Sequence, residues 1–278
     1  MKKLSFVISI LLLSGCSKTF IKKPLTFTTL FVPGETTYYK MHIERTITIH
    51  EGDSIRNYIM KYNLKLKETV SEVSSQFITL NLNILSASGG VTHNGEDFAT
   101  GVFDNLKGHT ITVRLTPDGS IADIRGTEKI PTLQGTGAEI LSDMEIFSFL
   151  YDYIKPGALK PAEIYRKETR TGSKVYRYEG IDKTKSMGDA AYITFTGNFD
   201  TEDAGYRGTY PYKRITKGSA SGAIYHLLKD GRLVEGWEKF KIKDNYIFPG
   251  YRKLNKEVIV YTELRVSRAQ KTGGEKHE

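Results

Sequence analysis

From residue 25 to residue 125 apolar side chains recur at every second position, and few backbones can use that spacing. Met41, Ile43, Ile47 and Ile49 fall on one side of a first segment. Tyr58, Met60, Tyr62, Leu64 and Leu66 do so in a second, and Ile78, Leu80, Leu82 and Ile84 in a third. A helix would scatter such residues around its axis, whereas a strand gathers them on one face. The residues between them are polar, so these segments predict long antiparallel strands in a sheet that buries mainly one side. His50-Glu51-Gly52-Asp53 supplies a turn between the first two. Asp118-Gly119, set between 111–115 and Ile121, provides the positive φ angles of a tight hairpin.

Strand patterns return in the second half, at 163–171, 174–180, 190–199, 223–229, 232–242 and 257–268, with a second Asp-Gly turn at Asp230-Gly231. Superposing the two Asp-Gly turns pairs Val113 with Tyr225, Leu115 with Leu227 and Ile121 with Leu233, which suggests two related β-halves. The acidic run Asp200-Thr201-Glu202-Asp203-Ala204-Gly205 reads as an exposed loop. Between the halves the period changes. Thr136-Gly137-Ala138-Glu139 reads as a capping box, and Ile140, Leu141, Met144, Phe147, Tyr151 and Ile154 follow at helical spacing until Lys155-Pro156-Gly157. Ile146, Phe149 and Tyr153 cluster on the opposite side of that helix and need a cover of their own, which makes them the candidate ligand-binding set. The expected fold is mainly β: a large curved antiparallel sheet or open β-barrel with one long central helix over 136–154. Residues 25–268 form a single domain of two β-halves flanking that helix.

The first sixteen residues speak about location. Lys2 and Lys3 precede an apolar run over 4–13, which ends in Leu13-Ser14-Gly15-Cys16. Ten apolar residues make a helix of about 15 Å, too short for a hydrocarbon core of about 30 Å, so the run reads as an export signal that is removed. Its ending resembles the lipobox of bacterial lipoproteins. That resemblance implies cleavage of residues 1–15, acylation of Cys16 and attachment to a membrane through the N-terminal lipid. Ser17 follows the cysteine in place of the aspartate that marks inner-membrane retention in many Gram-negative lipoproteins, which by the same resemblance favours the outer membrane. Residues 16–24 would be a lipidated tether carrying Lys18, Lys22 and Lys23, and 269–278 a disordered tail. Cys16 is the sole cysteine, so no disulfide is available and core burial must supply stability. The formal charge of +8 favours anionic surfaces, and an exported chain is not expected to meet nucleic acid.

The lipobox, the Asp118-Gly119 hairpin and the helix ending at Lys155-Pro156-Gly157 together give a layout similar to the periplasmic lipoprotein-carrier superfamily. That resemblance implies an incomplete antiparallel barrel curled around helical elements and holding acyl chains. This chain departs from the pattern in having one helix rather than several.

Chemical motifs are sparse. Gly218-Ser219-Ala220-Ser221-Gly222 has alanine where a nucleophile elbow needs serine. The six histidines, His42, His50, His93, His109, His226 and His277, never stand at metal-ligand spacing. The acidic run from Asn198 departs from a calcium loop at Asp203 and Thr209, and Gly135-Thr136-Gly137 lacks the third glycine of a nucleotide loop. His93, Glu96 and Asp97 could meet in a cleft, though one polar loop accounts for them more simply. Arg166, Lys167, Arg170, Lys174 and Arg177, interleaved with Tyr165, Tyr176 and Tyr178, read either as a docking patch for an anionic lipid or glycan or as a solvated strand face. No catalytic residue, metal or cofactor is expected. The chain reads as a lipid-anchored, non-enzymatic envelope lipoprotein that binds or carries a hydrophobic or lipid-like ligand. The alternative is an envelope scaffold docking a protein or an anionic glycan through its β-surface.

Overall fold

The computed structural model describes residues 20–27, 29–100, 103–127, 147–151, 157–169 and 172–269. The strands are β1 (Leu25–Phe27), β2 (Thr36–Glu51), β3 (Ser54–Val73), β4 (Ile78–His93), β5 (Glu96–Thr100), β6 (Thr110–Leu115) and β7 (Ile121–Arg125), then β8 (Gly157–Leu159), β9 (Ile164–Thr169), β10 (Gly172–Asp182), β11 (Ala190–Arg207), β12 (Tyr210–Leu227), β13 (Leu233–Ile247) and β14 (Lys256–Ala269). All but β1 and β8 join one antiparallel sheet in the order β7-β6-β4-β3-β2-β14-β13-β12-β11-β10-β9, with β5 paired to β4. β1 and β8 pair only with each other. Each main strand lies beside its neighbour in sequence, except that β6 passes β5 to pair with β4, and that β14 pairs with β2 and so joins the last strand to the first long one in mid-sheet. Edges β7 and β9 do not pair, so the sheet is open.

The alternation dictates which face is buried. Tyr39, Met41, Ile43, Ile47 and Ile49 of β2 share one face with Tyr58, Met60, Tyr62, Leu64 and Leu66 of β3, and all are buried. The same face continues through Val258, Val260, Leu264 and Val266 of β14 to Phe240 and Ile242 of β13, in one apolar cluster. The sheet bends around that face. Arg207 at the end of β11 lies 3.8 Å from Glu51 at the end of β2, although four strand steps, about 19 Å in a flat sheet, separate them.

Two expectations are corrected here. First, no long central helix stands among the described residues. Of 136–154 only residues 147–151 are described, and they end in a single 3-10 turn at Phe149–Tyr151. Phe149, Leu150 and Tyr151 are all buried, which three consecutive residues achieve only where the protein covers them on every side. Thr136, Ile140, Leu141, Met144, Ile146, Tyr153 and Ile154 lie outside the described residues. Second, 200–205 is not a loop but part of β11, with Asp200 opposite Lys217 and Ala204 opposite Lys213. An acidic run is tolerated there because both faces of this end of the hairpin are largely solvated, and Glu202 pairs with Lys213 at 2.7 Å.

The two Asp-Gly turns do close hairpins, β6–β7 and β12–β13, but the first stands at a sheet edge and the second well inside. Small residues shape the second half. Gly197, Ala220 and Gly222 share the inner face of β11 and β12, and a Cβ on Gly222 would collide with the ring of Phe195. The space these residues leave holds that ring and the stem of Lys174.

Candidate functional site: an outward-facing basic groove

The predicted ligand-binding and docking residues separate once the chain is folded. Phe149 packs as a core side chain: its ring would lie 2.8 Å from a Cβ placed on Gly236, and it faces Phe195 at 6.3 Å between centroids. Ile146 and Tyr153, its partners in the sequence reading, lie outside the described residues, as does the lipidation candidate Cys16. The basic hairpin divides between two faces. Lys167 and Lys174 stand opposite each other on the side of Tyr165 and Tyr176, and Lys174 forms a largely buried ion pair with Glu238 at 3.0 Å. Arg166 and Arg177 point the other way and pair with Glu168 at 2.9 Å and Glu179 at 3.5 Å. Arg170 lies outside the described residues. His93 and Glu96 face each other across the Asn94-Gly95 turn, and His93 stacks on Tyr58 at 4.5 Å, so these polar residues form a hairpin end rather than a cleft.

A hollow of about 620 Å³ lies at the middle of the sheet, between β2, β3, β13 and β14. The inward-facing residues on its lining, Met41, Leu64, Leu264 and Val266, are 1–2% exposed, so the space belongs to the outer face. The register shows how it forms. One cross-strand row runs Trp237, Arg265, His42, Asn63, and the adjacent row runs Glu235, Ser267, Lys40, Lys65. Ser267 is short and forms the floor, while the longer side chains around it make the walls. Trp237, the sole tryptophan, stands 39% exposed on one wall.

The charges around this groove are not equivalent. Glu263 is tied to Lys239 at 2.7 Å and to Tyr261 at 2.8 Å, and those hydrogen bonds, that from Lys239 foremost, hold its carboxyl below the usual range. Arg265 lies 3.8 Å from the same carboxylate, and Glu235 takes an ion pair from Lys185 at 2.6 Å. Lys40 and Lys65 have no acidic partner among the described residues, yet they stand directly opposite each other. Like charges facing across two strands are unfavourable, so this pair opposes folding and lends the groove a local positive field. His42 donates from Nδ1 to Asn63 Oδ1 at 2.8 Å, which fixes the ring beside it.

This arrangement can hold a ligand with an apolar part and an anionic part. Aliphatic lysine stems and an indole offer apolar walls, and two ammonium groups offer the ends. Among the described residues no group of three or more His, Cys, Asp or Glu side chains could hold a metal ion. The sequence reading passed over Lys40 and Lys65, because alternation marks them only as outward-facing. The isolated tryptophan was the one signal that could have drawn attention to this face.

No protein-family model and no curated protein sequence matches the chain. Among solved structures, a lipovitellin determined for its lipid–protein interactions matches 90% of this chain at 10% identity with a TM-score of 0.51, which shows a shared fold. The chain spans 27% of the lipovitellin chain's length. An outer membrane channel from Pseudomonas putida F1 (9% identity, 87% of this chain and 97% of that one, TM-score 0.27) and a DUF1329 family protein from Desulfovibrio piger (11% identity, 84% and 87%, TM-score 0.15) align too weakly to carry an argument.

Proposed function

We propose that this protein is a non-enzymatic binding protein of the cell envelope, lipid-anchored through Cys16, that holds an anionic, lipid-like ligand in the groove between Trp237 and the Lys40–Lys65 pair. The observation that carries the reading is that pair: two lysines set opposite each other without an acidic partner among the described residues, on a groove that an exposed indole also lines. An anionic group between the two ammonium ions would relieve their repulsion, and the apolar part of the same ligand would lie along the indole and the lysine stems. The seat of the ligand is the outer groove rather than the inner face, because Phe149 and its neighbours are packed there. Lipovitellin, whose fold this sheet shares, is described by its lipid–protein interactions, which agrees with the ligand class. The export signal and lipobox support the envelope setting, with the outer membrane favoured.

Trp237 makes the test direct. Titration with lysophosphatidylglycerol should change its fluorescence saturably, and lysophosphatidylcholine should do so far more weakly. Lys65→Ala should weaken the response about tenfold, since a hydrogen bond to a charged group contributes roughly 1.5–3 kcal/mol. The same substitution should raise thermal stability slightly, because it removes the like-charge pair. An unchanged affinity in Lys40→Ala and Lys65→Ala would overturn the proposal.

A further inference from the structure

Ile55, Phe98, Tyr206, Tyr210, Ile247 and Tyr251 all lie toward one end of the sheet, where the β2–β3, β4–β5, β11–β12 and β13–β14 connections gather. Two of these connections touch. The β11–β12 turn presents Tyr206, Arg207, Tyr210 and Pro211, the β13–β14 connection presents Tyr251, Arg252 and Lys253, and Tyr210 meets Tyr251 edge-on at 4.8 Å. Tyr206 is 76% exposed. No acidic residue occurs in 206–211 or 247–255. Arg252 and Lys253 have no acidic partner among the described residues, and Arg207 has only Glu51, 3.8 Å away.

We propose that this tip docks on an anionic lipid surface. Tyrosines with an apolar ring and a wet hydroxyl settle at the boundary between headgroups and acyl chains, and cations beside them are drawn to anionic headgroups. Two narrow turns offer too little area for a stable protein interface, which takes about 800 Å² from each partner, whereas a membrane needs only the few side chains that enter it. The chain arrives at the other end of the sheet, where Phe20 stacks on Tyr192 at 4.6 Å and Ile21 bridges Ile181. The 18 residues of β12 that separate the two ends span roughly 60 Å when extended. A chain anchored at its N-terminus would therefore present the tip to a second lipid surface. The tip shares no residue with the groove, so the proposal stands or falls without it.

The test immobilises the full chain through a C-terminal tag and offers it fluorescent vesicles of phosphatidylcholine, with or without phosphatidylglycerol. Retention should be greater for the anionic vesicles. Arg252→Glu with Lys253→Glu should reduce it by at least roughly fivefold per cation, and Tyr206→Ser, Tyr210→Ser and Tyr251→Ser together should reduce it to a similar extent. Every variant carries the same N-terminal segment, so vesicles held by that segment alone would give equal retention in all of them and overturn the proposal. Loss of the anionic preference together with a changed circular dichroism spectrum would call for the single variant Arg252→Gln, whose unchanged retention in a folded protein would also overturn it.

Discussion

Among the described residues Arg232 is the largest side chain that is fully buried, and its position is settled by Glu68 of β3, with which it forms an ion pair. Tyr151 donates to the other oxygen of that carboxylate at 2.7 Å, and Glu35 stands 3.3 Å from the guanidinium. Beside them burial pushes the Tyr39 phenol above its usual pKa, against the pull of Arg232 and Arg268. The pair links the loop before β13 to a strand three places away in the sheet. Glu68→Ala would leave the buried cation with only the part-exposed Glu35 as its counter-charge and should cost about 3 kcal/mol. The double variant Glu68→Leu, Arg232→Met should recover most of that loss, because it removes both charges together. Denaturant melts of the three proteins decide the matter: a double variant as unstable as the single one would show that specific bonds, not charge neutrality, hold this site.

At the scale of an element, β10 holds the incoming chain against the sheet. Ile21 exchanges two 3.0 Å backbone hydrogen bonds with Ile181, and Tyr178 donates to the carbonyl of Lys23 at 3.1 Å. Burial raises the pKa of Tyr178 from 10.0 to about 12, and it also raises those of Tyr192 and Tyr225. These phenols keep their protons more tightly folded than unfolded. The contribution of Tyr178 is therefore complete below about pH 10 and is lost as the pH climbs from there toward about 12. Alkaline unfolding should begin in that window and coincide with phenolate absorbance. Tyr178→Phe should lose about 0.5–1.5 kcal/mol at neutral pH and show a shallower alkaline decline. A decline identical to that of the parent protein would remove Tyr178 from the account. The same element scale explains Gly236 in β13: an added methyl would press on the Phe149 ring, so Gly236→Ala should cost about 1–3 kcal/mol in a thermal melt.

Across the whole molecule, the chain runs outward from mid-sheet as β2 to β7 and returns as β9 to β14, ending against the strand where the sheet began. That closing β14–β2 pairing runs from Lys256↔Glu51 to Ala269↔Tyr38 and joins the two halves. A chain ending at Asn255 would expose the inner edges of both β2 and β13, along with their apolar face. Such a chain should accumulate as aggregate, and recovery of a soluble, cooperatively melting product would show that the halves fold independently.

The alternation written into residues 39–49, 58–66 and 78–84 was enough to give antiparallel strands and the identity of the buried face, because a side chain's direction along a strand depends only on its position in the chain. The turn at 50–53 and the two Asp-Gly hairpins were legible for the same local reason. Phe149 left two roles open, because an apolar residue outside the main stripe can face a ligand or a second packing partner, and its packing against Gly236 and Phe195 appears only in the folded chain. The acidic run 200–205 was misread because charge marks solvent contact, which a largely solvated β-hairpin satisfies as well as a loop. The groove was beyond local reading altogether. Lys40 and Lys65 are 25 residues apart and look like ordinary outward lysines, and Trp237 and Ser267 come from the far end of the chain. Register and the β14–β2 closure alone bring these four residues together, since pairing between strands sets which side chains become neighbours across a sheet.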